Sequence, residues 1–249
     1  MQRYFLEHSL GSEQLEITGD DAKHISRVMR MRPGDAIICC GNDGRCAKCS
    51  LQEVTNDRVV AVVEQMVDDT SEMPVRVTIA QGLPKADKLD LVVQKATELG
   101  VHRVMPFLAE RSVVKWDDKK KAKRSERLRK IAKEAAEQSH RCRIPEILYP
   151  RTFDELLTES ESYDVKLVAF EEEAKAGEQS NFAGLVQSIS LGQSLLAVVG
   201  PEGGLSTEEV RLLQQKGFVS CGLGPRILRT ETVALYMLSA ISYHFELMR

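Results

Sequence analysis

Four charged residues near the C-terminal end of the chain, Glu202, Arg226, Arg229 and Glu231, stand beside glycines and prolines in a way that suits charge-stabilising or acid–base chemistry. Glu202 lies in Gly200-Pro201-Glu202-Gly203-Gly204, and the other three lie in Leu223-Gly224-Pro225-Arg226-Ile227-Leu228-Arg229-Thr230-Glu231-Thr232. Gly203 and Gly204 permit close backbone approach and unusual dihedrals, which suits a grip on a flat heterocycle such as adenine. Arg226 and Arg229 supply fixed positive charge, fit for a phosphate or a polarised base oxygen. Glu202 and Glu231 can balance a cation or take a proton.

Neither stretch matches a familiar nucleotide-phosphate loop. A P-loop needs four residues between its glycines followed by Lys and Ser or Thr, and the segment from Gly200 to Leu205 has neither. The dinucleotide fingerprint follows the first strand of a domain, whereas these glycines come late and at the wrong spacing. No His-Glu-x-x-His or Gly-x-Ser-x-Gly pattern occurs, and His8, His24, His102, His140 and His244 are scattered.

The elements that must hold these residues read as alternating strands and helices. Apolar runs at 75–80, 101–107, 165–170, 195–199 and 218–222 predict buried strands, and helical spacing predicts helices over 87–99, 118–139 and 232–247. Such alternation implies a parallel sheet covered on both faces, with both glycine stretches where a strand hands over to a helix. Ser206-Thr207-Glu208-Glu209 fits a capping box that starts a helix directly after the first stretch. The last helix is apolar on more than one side, which predicts cover from both the sheet and a second subunit. Residues 1–72 read instead as a small β-barrel with one short helix over 20–29 and strands at 36–40, 46–54 and 58–67. A polar linker at 68–74 separates it from a second domain over 73–249.

The chain has 249 residues, 43% hydrophobic and 29% charged, with a net charge of −3 that hides strong segregation. Residues 115–133 carry ten basic and three acidic residues, whereas 153–178 carry nine acidic and two basic. A local basic face fits a polyanionic partner. No apolar run approaches the ~20 residues needed to span a bilayer, and the N-terminus lacks a secretory apolar centre, so a cytoplasmic location is expected. The six cysteines are then expected as reduced thiols. Cys39, Cys40, Cys46 and Cys49 flank a turn at Gly41-Asn42-Asp43-Gly44. On such a hairpin four sulfurs cannot converge, so no metal site is expected.

Taken together, these stretches resemble the C-terminal signature of the RsmE family, within the SPOUT superfamily. Gln94-Lys95-Ala96-Thr97-Glu98-Leu99-Gly100-Val101, Glu137-Gln138-Ser139-His140-Arg141, Arg3-Tyr4-Phe5 and His24-Ile25-Ser26-Arg27-Val28-Met29-Arg30 extend the resemblance along the whole chain. His140 departs from it, since the family often has Gly there. The resemblance implies methylation of ring nitrogen 3 of a uridine in 16S ribosomal RNA, within the 30S subunit, by a homodimer that uses S-adenosylmethionine. It also implies an N-terminal PUA-like barrel and a C-terminal α/β domain with a deep trefoil knot. Cofactor-binding residues would be Phe170, Gly200, Pro201, Glu202, Gly203, Gly204, Leu223, Gly224, Ile227, Leu228 and Thr230. Phosphate contacts would come from Arg3, Lys23, Arg27, Arg30, Arg32, Arg141 and the basic face over 119–133. Catalysis would draw on Arg226, Arg229, Glu231 and Glu202, one of the carboxylates accepting the proton of nitrogen 3. Two rivals remain at this point: methylation of a ribose 2′-oxygen, and a non-catalytic RNA-binding assembly factor.

Overall fold

The computed structural model describes residues 1–68, 71–114, 116–172 and 180–248. Lys115, part of the acidic stretch (173–178) and two positions of the expected linker (69 and 70) lie outside the described residues. The chain forms two compact units. One comprises Met1–Glu72 with Ala136–Ile144, and the other Met73–Ala135 with Pro145–Arg249.

The first unit is a five-stranded sheet built from β1 (Arg3–Phe5), β2 (Gln14–Thr18), β3 (Ala36–Cys40), β4 (Cys46–Val54) and β5 (Arg58–Val67), ordered β1-β3-β4-β5-β2. Helix α1 (Gly19–Lys23) runs into a π-helical turn, His24–Val28. Strand alternation sends Leu15, Ile17, Ile37, Leu51 and Val59 inward, where they bury Ile25 of that turn. The unit also takes in 136–144, which the expected boundary had assigned elsewhere. Its anchor is Glu72: Arg141 Nε donates to Oε1 at 3.2 Å, and the backbone N–H groups of Cys142 and Arg143 donate to the same oxygen at 2.9 and 3.2 Å. His140 in this segment has φ +59°, a left-handed conformation that glycine adopts without strain.

One cysteine expectation is corrected here. Cys40 and Cys46 form a disulfide, while Cys39, Cys49, Cys142 and Cys221 are buried thiols outside it. The hairpin register sets Cys40 directly opposite Cys46 with their Cα atoms 4.1 Å apart, close enough for a bridge between two sulfurs although four cannot meet.

In the second unit every strand pairing is parallel. The strands are β6 (Arg76–Gly82), β7 (Arg103–Leu108), β8 (Glu146–Ile147), β9 (Arg151–Thr152), β10 (Val165–Ala169), β11 (Ser194–Val199) and β12 (Val219–Cys221). Their order is β12-β10-β11-β6-β7-β8, with β9 also on β7. The helices are α2 (Lys88–Glu98), α3 (Asp118–Gln138), α4 (Phe153–Glu159), α5 (Asn181–Ser188), α6 (Thr207–Gln215) and α7 (Thr230–Ser242). Alternate strand residues feed two cores. Val77, Ile79, Leu195 and Ala197 pack with Val92, Val93 and Met237 on one face, while Ala80, Met105, Leu196 and Val198 pack with Leu156, Val210 and Leu213 on the other. Cover on both faces explains why the strands read as continuous apolar runs. Helices α4 and α5 were not anticipated, being short and, for α4, rich in acidic residues. Among the described residues no helix is long and apolar enough to cross a membrane.

Candidate active site

The sheet order makes β11, β10 and β12 neighbours, so the segments leaving their carboxyl ends meet at one edge of the second unit. They enclose a cavity of about 560 Å³, within the range of pockets that hold small organic ligands. Its walls include Phe170, Gly200, Pro201, Glu202, Gly203, Gly204, Leu223, Gly224, Arg226, Ile227, Leu228, Arg229 and Thr230. Glu231 is not among the lining residues. Lys88 and Arg111 are, and neither was anticipated.

The first glycine stretch is held in a tight turn. A Cβ on Gly200 would come within 3.0 Å of the Gly204 carbonyl carbon and the Leu205 nitrogen, and Gly204 itself has φ +69°. The capping box forms as expected: Glu209 N–H donates to Ser206 Oγ at 3.2 Å, and Glu209 Oε2 accepts from Ser206 N–H at 2.8 Å. Glu209 does more than cap α6. Its Oε1 accepts from the Glu110 N–H at 2.8 Å, so one buried carboxylate joins the segment after β7 to the glycine loop. Glu209→Ala strands two N–H groups there and is expected to lower stability by roughly 2–5 kcal/mol; urea unfolding followed by circular dichroism measures it.

The second loop is tied to the first from below. Thr230 Oγ1 donates to the Gly200 carbonyl at 2.6 Å and accepts from Gln81 Nε2 at 2.8 Å. Gln81, at the end of β6, is fully buried and was missed because an amide in an apolar strand gives no local signal of what it bonds.

The pocket charges differ sharply in their freedom. Arg226 and Arg229 are exposed and have no side-chain ion pair among the described residues. Glu202 accepts from the Lys85 N–H at 3.0 Å, and its Oε1 lies 3.0 Å from Lys88 Nζ. Burial acts to raise the Glu202 carboxyl. The N–H groups of its own residue and of Lys85, together with the Lys88 ammonium, outweigh that and hold it below the usual carboxylate range. Glu202 is therefore ionised at neutral pH and a weak proton acceptor. Glu231, in the first turn of α7, turns its Oε2 to Lys88 Nζ at 3.2 Å.

The residues expected to grip phosphates separate into two groups. Lys23, Arg27, Arg30 and Arg32 are exposed along α1, the turn that follows it and the segment leading to β3. Arg3 and Arg141 are 6% and 3% exposed. Arg3 donates to the Arg141 carbonyl at 2.7 Å, and Arg141 pairs with Glu72. Their burial withdraws both from the phosphate-contacting set. A sequence shows that a residue is basic but not that its partner lies far away along the chain.

Comparison with known proteins agrees with this architecture. Residues 71–242 match the family model of the RNA methyltransferase domain, and residues 17–64 that of the RNA methyltransferase PUA domain. The chain is 52% identical to the ribosomal RNA small subunit methyltransferase E of Bacillus subtilis, over 100% of this chain and 99% of that one. A crystal structure of a hypothetical protein aligns over both whole chains at 50% identity with a TM-score of 0.92. The ribosomal RNA small subunit methyltransferase E of Neisseria gonorrhoeae, solved bound to S-adenosylmethionine, covers 98% of each chain at 28% identity with a TM-score of 0.86. With both of its units matched and near-complete overlap with such relatives, the chain belongs to the ribosomal RNA small subunit methyltransferase E family of RNA methyltransferases.

Proposed function

We propose that this protein methylates ring nitrogen 3 of one uridine in 16S ribosomal RNA, with S-adenosylmethionine as the methyl donor. The observation that carries the reading is the cavity itself: a glycine-lined grip and two exposed arginines, without an ion pair among the described residues, at the carboxyl ends of adjacent parallel strands. The lining fits the cofactor, since its volume suits a ligand of that size and the turn from Gly200 to Gly204 brings backbone rather than side chains to the ligand. When bound, S-adenosylmethionine supplies a methyl group on a positively charged sulfur. Phe170, Leu223, Ile227 and Leu228 offer apolar walls, and Gly200 to Gly204 the backbone contacts.

A uridine must leave its stack to reach such a pocket. Nitrogen 3 becomes nucleophilic as its proton leaves, and negative charge then spreads onto the uracil oxygens. Arg226 and Arg229 are placed to stabilise that charge. Glu202 is ionised and already holds three donors, so the proton passes to water rather than to that carboxylate. Lys23, Arg27, Arg30 and Arg32 hold the RNA backbone.

The same proposal includes a cytoplasmic 30S-associated substrate, a knotted path through the three loops, and a homodimer. Tyr236, Tyr243 and Leu247 on and after α7 are 42%, 56% and 73% exposed, an apolar edge of the kind a second copy covers.

Mass spectrometry of digested 16S ribosomal RNA from cells lacking this protein tests the reading. The expected result is loss of one base-methylated uridine, restored by the wild-type chain. A missing ribose methyl would favour 2′-oxygen transfer, and an unchanged methylation pattern would favour a non-catalytic assembly factor.

A further inference from the structure

Two walls of the pocket come from separate stretches of chain, and a single side chain touches an anion on each. Lys88 opens α2, and its Nζ lies 3.0 Å from Glu202 Oε1 on the first loop and 3.2 Å from Glu231 Oε2 at the foot of the second. The three side chains are sheltered, at 30%, 28% and 15% exposure for Lys88, Glu202 and Glu231. Glu231 Oε2 is buried and has no hydrogen-bond partner beyond this ion pair among the described residues, so the ammonium is the charge that compensates it there. We propose that Lys88 is the positioning residue that fixes the spacing of the two pocket loops, by clamping Glu202 and Glu231 onto one cation. The proposal rests on the reading of this cavity as the S-adenosylmethionine site.

Electrostatics decides what the clamp does. Without the ammonium, two carboxylates that shared one nitrogen become like-charged neighbours in a sheltered place, and they repel. Relief comes from moving the loops apart or from protonating one carboxylate. The other charges lining the pocket are Arg111, Glu171, Glu172, Arg226 and Arg229. Next to the clamp, Lys85 donates its backbone N–H to Glu202, and Asp87 is paired with Arg124 at 3.1 Å. The ion pairs of Lys88 thus join α2 to both loops. In the wild type, Lys88 is held above the ordinary lysine range, first by its hydrogen bond to Glu202 against an opposing desolvation, with Glu231 adding to it. The clamp therefore stays charged across the neutral range.

The test is a set of variants read by calorimetric titration with S-adenosylmethionine at pH 7.5 and pH 5.5, together with hydrogen exchange of the ligand-free protein. Lys88→Met should raise Kd roughly 10-fold at pH 7.5. Much of that loss should disappear at pH 5.5, where one carboxylate takes a proton, and Lys88→Arg should bind within a few-fold of wild type. The charge-relieving double variant Lys88→Met, Glu231→Gln should recover affinity at pH 7.5. Hydrogen exchange in 200–206 and 222–230 should speed up in Lys88→Met and slow again in the double variant. Unchanged exchange in those segments, or a loss of affinity that the double variant does not relieve, would overturn the clamp. Absence of any binding by the wild type would overturn the cofactor reading instead, and hydrogen exchange would still judge the clamp.

Discussion

Gly82→Ala is expected to weaken S-adenosylmethionine binding by about 10-fold to 100-fold while leaving the sheet folded, the equivalent of roughly 1–3 kcal/mol of overpacking. Gly82 closes β6, and a Cβ there would lie 2.6 Å from Pro201 Cδ, 2.7 Å from Pro201 N and 3.1 Å from the Gly200 carbonyl carbon. Distances below 3 Å to backbone and to a rigid ring cannot be absorbed by a rotamer change. Something must move. Strand β6 is locked between β11 and β7, so the displacement falls on the loop that begins at Gly200. Gly184→Ala is the matched control, because its Cβ meets nothing within 4 Å on the exposed face of α5. That change should raise stability by about 0.5–1 kcal/mol and leave affinity alone. Calorimetric titration and thermal melting of both variants provide the comparison; equal affinity in Gly82→Ala and wild type would show that the loop is not held at this point.

The second large effect concerns the arginines. Replacing Arg226 or Arg229 with alanine should lower kcat by about 10²–10³, with cofactor affinity nearly unchanged, as for loss of one preorganised charge-stabilising donor. Glu202→Gln should lose less, below about 10-fold, because general-base assistance is worth 10²–10⁴ and a carboxylate held below its usual range gives little of it. Single-turnover kinetics on 30S particles, measured from pH 6 to pH 9, separates the two roles. The wild-type rate should climb with pH as nitrogen 3 loses its proton more readily. A 10³-fold drop in Glu202→Gln with intact binding would return the proton to that carboxylate.

How far the sequence foretold the site depends on the range of each cause. The capping box at Ser206 and Glu209, the apolar run over 194–199 and the glycines from Gly200 to Gly204 are local features, and they read correctly as strand, tight turn and helix start. Lys88 opens a helix and looks like any solvated lysine until Glu202 and Glu231 arrive from more than a hundred residues away. Gly82 looks like a strand terminus, and only the approach of Pro201 gives it meaning. Glu209 was expected as a cap, but its hold on Glu110 needed the tertiary fold. The errors share this origin. Arg3 and Arg141 were taken for phosphate ligands because their charge is visible and their burial is not. Cys40 and Cys46 were expected as reduced thiols, when strand register sets them opposite each other as a disulfide pair.

The return of 136–144 to the first unit has a consequence for how this protein can be taken apart or recombined. A module cut after Glu72 would lack the strap whose Arg141, Cys142 and Arg143 satisfy the Glu72 carboxylate. It would also lack the Arg141 carbonyl that receives Arg3, leaving a buried guanidinium without one of its acceptors. The first unit is thus discontinuous in the gene though continuous in space. Exchange between relatives must carry both pieces together, and point changes in the strap and in Glu72 are expected to covary as one inheritance.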